Sequence, residues 1–526
     1  MKLLLISLGG TPTTFGNCEG SSYKYGNTSL EYLASYLREN YEFPIDTLFL
    51  NKPLIEKNYL DVIDSNYDIC GIFVDIAYFD KAISIYNYMK EHNPNVVTFS
   101  FGRVSSNCTK VLLDKCPALD YAILGDPEEV VAELIDSIIN KSVLSSHRSI
   151  ATHTDMDNKK WAVYNADINR WPCFDYYQAG KCDENNRKIH CLSTKCDMCS
   201  GECSFCWSRK QPVVYKDVER IFSEIEYVSR TYKIKNFYFI DNNLFDYNNK
   251  GNKERLLSLF KKIKELNRNL LFTALVNADS VTNEDEDLYL LMKEIGFYSL
   301  FLGVDTGNEQ DIRMYKKRAT LKDNLNALDI LRKVGIWVRF GYIFYNPFSS
   351  LDTIKENYNY LCKIKSPNIY HYGALRMIVF EKTLFKKTVC DAGLLGDNYS
   401  GLDIYNYRFN DERCYEYYAF ISKKVIPLLE KTVSTQYLKL KKNYEMARVV
   451  NRLVTEKYTR KINRIEKTEF NIIRKYFYHL YIENDLDYCK ENLDNFIGLL
   501  KSNAISNDIL SKELETIWTL APMEKE

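Results

Sequence analysis

Cys199-Ser200-Gly201-Glu202-Cys203-Ser204-Phe205-Cys206 places three thiols at the spacing C-x-x-x-C-x-x-C, with an aromatic residue directly before the third. The chain holds 15 cysteines, and Cys173, Cys182, Cys191, Cys196, Cys199, Cys203 and Cys206 fall in one short window. Such clustering points to metal rather than to disulfides. Cys196 with Cys199 and Cys203 with Cys206 also read as two C-x-x-C pairs, the pattern of a zinc site. Zinc ribbons, however, separate their pairs by roughly 15 to 20 residues so that two knuckles can fold round one ion. Only Ser200, Gly201 and Glu202 intervene here. A cluster of four irons and four sulfides presents metal corners that a compact loop can ligate; three cysteines satisfy three irons and leave the fourth open. Cys173, Cys182, Cys191 and Cys196 do not repeat the spacing and read as buried or incidental thiols.

Working outward, the triplet follows the apolar run IHCLS (189–193), the first of six candidate strands. The others are NFYFID (236–241), LLFTALV (270–276), YSLFLGVD (298–305), WVRFGYIF (337–344) and LRMIVF (375–380). Helical patterns such as VERIFSEIEYVSRTY and SLDTIKENYNYLCKI separate them, so residues 187–398 predict a partial β/α barrel of six units. Ligands of parallel α/β folds gather at the carboxyl ends of strands, which puts the triplet at the mouth.

Residues 1–145 alternate KLLLISL, IDTLFL, DICGIFVDI, NVVTFSFG and DYAILG with helical patterns, predicting a doubly wound, Rossmann-like domain. Residues 146–186 read as a linker, and 399–526 as an α-helical C-terminal cap. The opening apolar run is short and ends at Gly9 and Gly10, so it reads as a buried strand rather than a signal peptide. No stretch approaches the roughly 20 apolar residues of a membrane span, and a cytoplasmic protein is expected.

Net charge is zero, yet acidic residues dominate before about residue 140 and basic residues from Lys423 to Lys475. That asymmetry reads either as a solvated or docking face, or as a surface for an anionic substrate or nucleic acid. His147, His153, His190 and His371 stand alone, and neither a Gly-rich phosphate loop nor a serine nucleophile elbow is present.

The octapeptide resembles the signature of radical S-adenosylmethionine enzymes, including the aromatic residue before the last cysteine, and the resemblance runs along most of the barrel. It implies that Cys199, Cys203 and Cys206 hold a [4Fe–4S] cluster whose open iron is chelated by the amino and carboxylate groups of S-adenosylmethionine. One-electron reduction then cleaves the sulfonium to a 5′-deoxyadenosyl radical. NFYFIDNNLF resembles the second strand of the family, making Asp241 and Asn243 candidates for the methionyl end; each reads equally as a strand-end turn residue. In LFLGVDTGNEQ, Asp305 stands where the family often has a glutamate that binds the ribose hydroxyls. VRFGYIFYNPFSS resembles the adenine motif G-x-I-x-G-x-x-E, with Gly341 and Ile343 matching while Tyr345 and Phe348 replace its later glycine and glutamate. Arg339 and Arg376 are candidates for the cofactor carboxylate, or surface arginines.

The N-terminal domain resembles the cobalamin-binding domain of one branch of that family. Phe101-Gly102 stands at its Gly-Gly turn and Gly125-Asp126-Pro127-Glu128 at its GEGE-like turn. No D-x-H-x-x-G sequence occurs, and Asp75-Ile76-Ala77 is the nearest echo. The resemblance therefore leaves two alternatives: cobalamin bound without a protein ligand to cobalt, or a domain that has lost it. The expected function is a radical enzyme that methylates or rearranges an unactivated carbon of a small-molecule or peptide substrate, reduced by a flavodoxin or ferredoxin, with neither membrane nor nucleic acid as partner. The alternative is a non-catalytic zinc- or cluster-binding module with a basic helical region that contacts nucleic acid or another partner.

Overall fold

Apolar runs without polar alternation make parallel strands buried on both faces, and two such sheets organise the chain. The computed structural model describes residues 1–8, 28–50, 58–142, 147–155, 161–170, 189–195, 199–208, 213–246, 249–366, 369–398, 404–430, 434–451 and 453–524. In the first sheet, β1 (Leu3–Leu8), β2 (Ile45–Leu50), β3 (Ile69–Phe73), β4 (Val97–Phe101), β5 (Tyr121–Ile123) and β6 (Ile150–Ala151) lie in the order β2-β1-β3-β4-β5-β6. All pairings are parallel except β5 with β6. Side chains alternate across this sheet: Leu3 and Leu5 pack in one buried cluster with Leu33 of α1 (Thr28–Asn40) and Leu134 of α3 (Pro127–Ile139). Leu4 and Ile6 pack in the other, with Ile85 of α2 (Phe79–His92). This is the doubly wound arrangement expected, and its strand order reverses between β1 and β3, where such sheets form a ligand crevice at their carboxyl ends.

β6 comes from the segment expected to be a linker. Two residues suffice because β5 already offers a ladder edge, and a two-residue strand leaves no periodicity to read. Cys173, Cys182 and Cys196 lie outside the described residues, as do Gly9 and Gly10.

The second sheet contains β7 (Ile189–Leu192), β8 (Asn236–Phe239), β9 (Leu271–Asn277), β10 (Phe297–Asp305) and β11 (Trp337–Tyr342), all parallel and in chain order. The helices α4 (Val218–Thr231), α5 (Lys250–Glu265), α6 (Glu286–Ile295) and α7 (Leu321–Val334) connect them, and α8 (Leu351–Lys363) follows β11. Local chemistry fixes the helix ends. Thr320 and Asp323 form a capping box at the start of α7, Ser350 and Thr353 another at α8, and Gly335 closes α7 at φ +85°, a conformation that costs glycine nothing.

The sixth parallel strand expected at 375–380 is reduced to a single parallel bridge between Tyr345 and Arg376. Beyond it the chain turns away. β12 (Val379–Phe380), β13 (Leu395–Asn398) and β14 (Ile404–Tyr407) form a small antiparallel sheet in the order β12-β14-β13. The lower half of β11 is thereby left as an edge. The C-terminal helices α9 (Ser434–Val450), α10 (Leu453–Tyr481) and α11 (Leu493–Leu520) close the floor of the barrel, where Leu271 and Tyr298, near the starts of β9 and β10, are buried among Leu440, Met446, Ile462 and Leu514. Among the described residues no helix is long and apolar enough to cross a membrane.

The two sheets meet through buried polar contacts. Tyr32 on α1 donates to Glu224 on α4 (2.7 Å), and Glu224 also takes Lys216 (2.6 Å) and His190 (2.8 Å). Burial would raise the Glu224 carboxyl, but Lys216 and His190 hold it down at about 2. Arg103, just past β4, donates to Asn242, just past β8 (3.4 Å), so the carboxyl edges of the two sheets face each other.

Candidate functional site

The cysteine loop leaves β7 through Thr194 and Lys195, and both are pinned by carboxylates from beyond β8. The Thr194 amide and hydroxyl donate to Asp241 (both 2.9 Å), and the Lys195 amide joins them at 3.2 Å. The Lys195 ammonium is itself fully buried and donates to both oxygens of Asp246 (2.8 Å). Asp246 also accepts from Tyr215 (2.6 Å). A buried ammonium needs such a partner, because desolvation without one costs several kcal/mol. The loop is clamped on its other side as well: Ser204 donates its amide to the Tyr315 carbonyl (2.8 Å) and its hydroxyl to the Met314 carbonyl (2.9 Å), while Phe205 packs edge-on against Tyr315 at 5.3 Å.

These clamps draw the three thiols together. The sulfurs of Cys199 and Cys203 lie 3.3 and 4.0 Å from the point where a Cβ on Gly201 would stand, and Cys206 acts electrostatically on both. The Gly201 amide donates to Cys199 Sγ (3.3 Å) and the Ser208 amide to Cys206 Sγ (3.4 Å). Backbone donors aimed at sulfur are what a ligated cluster requires. Burial pushes the Cys203 thiol up to about 12, against the pull of Lys317, and raises Cys199 as well, against the Gly201 amide. Among the described residues no three His, Cys, Asp or Glu side chains are gathered tightly enough for a single metal ion.

The remaining candidates divide. Asp241 is buried, its Oδ1 accepting the Thr194 and Lys195 amides and its Oδ2 the Thr194 hydroxyl, so it braces the cysteine loop. Asn243 accepts from the Asn277 amide (3.0 Å), while its buried Nδ2 has no hydrogen-bond partner among the described residues. A buried amide donor without a partner is costly, and a polar ligand would relieve it. Asp305 ends β10 at φ +63°, its carboxylate paired with Lys317 and its carbonyl accepting the Ile343 amide (2.7 Å). A Cβ on Gly341 would come within 3.2 Å of the Phe301 ring and 3.6 Å of Asp305 Oδ1, so that glycine leaves space beside the carboxylate. Asp305, Lys317 and Cys203 therefore share one electrostatic neighbourhood at the mouth.

The two arginine candidates have other partners here. Arg339 lies two residues below Gly341, donating to Thr273 (3.2 Å) and lining a cavity at the barrel floor. Arg376 is sandwiched against Tyr407 and Tyr418, both at 5.3 Å. His371 is depressed by burial and packs on Tyr372. Sequence reasoning missed Lys195, Asp246 and Lys317. Lys317 sits in a basic run that reads as solvated surface, and Lys195 and Asp246 meet only through the fold; the one available signal was the position of Lys195 just ahead of the cysteines.

The profile of the radical SAM superfamily matches residues 194–361, from the residue that anchors the cysteine loop to the last turn of α8. An uncharacterized methyltransferase of Pyrococcus horikoshii is 22% identical over 348 residues, 64% of this chain and 72% of its own. The anaerobic magnesium-protoporphyrin IX monomethyl ester cyclase of Rubrivivax gelatinosus is 21% identical over 392 residues, 72% of this chain and 68% of its own. Among solved structures, the cobalamin-dependent S-adenosylmethionine radical enzyme OxsB, with aqua-cobalamin and S-adenosylmethionine bound, superposes with a TM-score of 0.71 at 16% identity, over 99% of this chain and 79% of that one. TsrM, a radical S-adenosylmethionine methyltransferase from Kitasatospora setae, gives 0.55 at 13%, over 74% and 75%. At these identities the structural likeness shows the fold alone: residues 194–361 match the radical SAM superfamily profile, and the chain as a whole has a fold similar to those of OxsB and TsrM.

Proposed function

We propose that this enzyme uses a [4Fe–4S] cluster and S-adenosylmethionine, with cobalamin, to methylate or rearrange an unactivated carbon of a small molecule or peptide. The observation that carries the reading is the clamped loop that bears three thiols, two of which receive backbone N–H donors. Cys199, Cys203 and Cys206 hold the cluster. Bound there, the cluster with S-adenosylmethionine would supply one-electron radical chemistry at the substrate carbon, and cobalamin would supply methyl-transfer chemistry.

This chain's residues bind and orient. Asn243 donates its spare amide hydrogen to the methionyl end, and Asp305, fixed by Lys317, accepts from the ribose hydroxyls. Gly341 leaves room for the nucleoside and Ile343 walls its adenine side. Cobalamin fits between the facing carboxyl edges of the two sheets. Trp161 and Trp207 pack against the N-terminal apolar cluster, and both indole N–H groups are buried without a hydrogen-bond partner among the described residues. The amide-fringed rim of a corrin offers acceptors for such donors. Domains at 1–145, 187–398 and 399–526 are the units this reading assigns, with 146–186 joining the first two and a flavodoxin or ferredoxin as electron donor. The names of the Pyrococcus relative and of TsrM favour methyl transfer over rearrangement.

The test is anaerobic reconstitution followed by metal analysis and assay of S-adenosylmethionine cleavage under reduction. The reading expects about four irons and four sulfides per chain and formation of 5′-deoxyadenosine or methylated product, both lost in Cys203→Ala. One zinc per chain with no cleavage overturns it in favour of the non-catalytic module. Cobalamin is tested separately by desalting after incubation with hydroxocobalamin: a retained corrin absorbance that falls in Trp207→Phe supports it, and a colourless protein removes it.

A further inference from the structure

A second cavity, of about 300 Å³, lies at the opposite end of the barrel, against the lower edge of β11. It exists because the sixth strand touches the β11 chain only at the Tyr345–Arg376 bridge, leaving Trp337–Phe340 without a strand neighbour on that side among the described residues. The C-terminal helices α9 and α10 cover the gap without filling it, contributing Tyr437, Lys441, Glu445, Arg448 and Glu466 to the lining.

The lining is strongly basic. Arg332, Arg339, Lys365, Lys441 and Arg448 face it against only Glu445 and Glu466. Both carboxylates face cations: Lys441 lies 3.1 Å from Glu466 and 3.4 Å from Glu445, and Arg448 lies 2.5 Å from Glu445, whose Oε2 makes no hydrogen bond among the described residues. Behind the Gly335 wall sits Lys293, whose Cε is 3.9 Å from where a Cβ on that glycine would be. Its Nζ is shielded from solvent and makes no hydrogen bond to a described residue, and the same holds for Arg448 Nε. Burial and the neighbouring Arg448 push Lys293 down to about 8, with Glu445 pulling the other way. A buried cationic donor left without an acceptor is costly, and an anion entering the cavity would relieve Arg448, which lines it. Aromatic rings complete the lining, with Phe340 stacked on Tyr372 at 4.9 Å.

We propose that this floor cavity is a second ligand site, separate from the cysteine loop, that takes a small phosphate-bearing anion. Arginine forks match phosphate oxygens in pairs, and several such cations around one cavity suit an anion with more than one negative charge. The basic run from Lys423 to Lys475 thereby acquires a role: Lys441 and Arg448 face this ligand rather than nucleic acid or open solvent. Occupancy would tie α9 to the α7–β11 turn and stabilise the folded chain by mass action. The proposal is independent of the reaction at the barrel mouth.

The experiment is isothermal titration calorimetry and thermal unfolding of the full chain with pyrophosphate, ATP and sulfate as probes, at roughly physiological salt so that weak surface attraction is screened. Saturable binding of pyrophosphate or ATP with one site per chain and a raised Tm is expected; tighter binding of ATP identifies a nucleotide and equal binding a free phosphate. Arg339→Gln and Lys365→Gln should each weaken binding about 10-fold, the scale of one charge-assisted hydrogen bond. Cys203→Ala should leave it unchanged. Lys365 is exposed, so its variant reports on charge without endangering the fold. Absence of saturable binding with all three probes, or binding indifferent to both cavity variants, overturns the proposal.

Discussion

At the scale of single residues, the site is a set of charges placed where burial makes each one dependent on another. Asp305 is the sharpest case: its φ of +63° sets the end of β10, and Lys317 holds its carboxylate beside the space Gly341 leaves open. Asparagine tolerates this backbone region as well as aspartate does, so Asp305→Asn isolates the charge. Titration calorimetry on the reconstituted protein should show S-adenosylmethionine binding weakened roughly 10- to 100-fold, the range for hydrogen bonds to charged groups, with iron content unchanged. Unchanged affinity would remove Asp305 from the cofactor site. The cysteine triplet was legible as a metal-ligating pattern because its message is local, three thiols within eight residues. Lys317 and the Lys195–Asp246 pair were not, because their partners are supplied by other turns of the barrel. Asp241 was legible only as one of two alternatives, because a carboxylate past a strand end looks alike in sequence whether it grips a ligand or, as its partners are here, the backbone amides of Thr194 and Lys195.

At the scale of elements, β1 to β5 and β7 to β11 were readable because each is an apolar run bounded by turn residues, whereas β6, β13 and β14 exist only because a neighbour offers them a ladder. LGDN, the whole of β13, carries no strand signal at all. The same logic explains the truncated sixth strand, an apolar run whose pairing is decided by β14. Helix α10 carries a measurable consequence of burial. Glu469 is 2% exposed, and burial, with Glu466 adding to it and Asn507 opposing, raises its carboxyl from 4.5 to about 7. The folded chain therefore keeps a proton that the unfolded chain loses, and stability declines as pH rises from 4.5 to about 7. Glu469→Gln should raise stability at pH 8 by roughly 2–3 kcal/mol and change little below pH 5. Equal effects of the substitution at both pH values, followed by thermal unfolding, would refute a neutral Glu469 in the fold.

At the scale of the whole molecule, the order of units was legible but their apposition was not, because it rests on contacts such as Tyr32 with Glu224, far apart in sequence. Glu224 is fully buried, with its carboxyl depressed to about 2, so its contribution to holding the halves together is complete above its usual value of 4.5 and fades as pH falls toward 2. Glu224→Gln leaves Lys216 buried without its counter-charge and should cost about 3–5 kcal/mol in denaturant unfolding near neutral pH; a loss below about 1 kcal/mol would mean that the network is not what joins the sheets. The facing carboxyl edges place the turn after β4 over the mouth of the barrel, and everything catalytic depends on what the three thiols hold there. The most direct test is electron paramagnetic resonance of the anaerobically reconstituted, chemically reduced protein with and without S-adenosylmethionine. The spectrum of a reduced [4Fe–4S] cluster whose g values shift when S-adenosylmethionine is added is the predicted result; a silent sample, or a cluster spectrum indifferent to S-adenosylmethionine, contradicts the account.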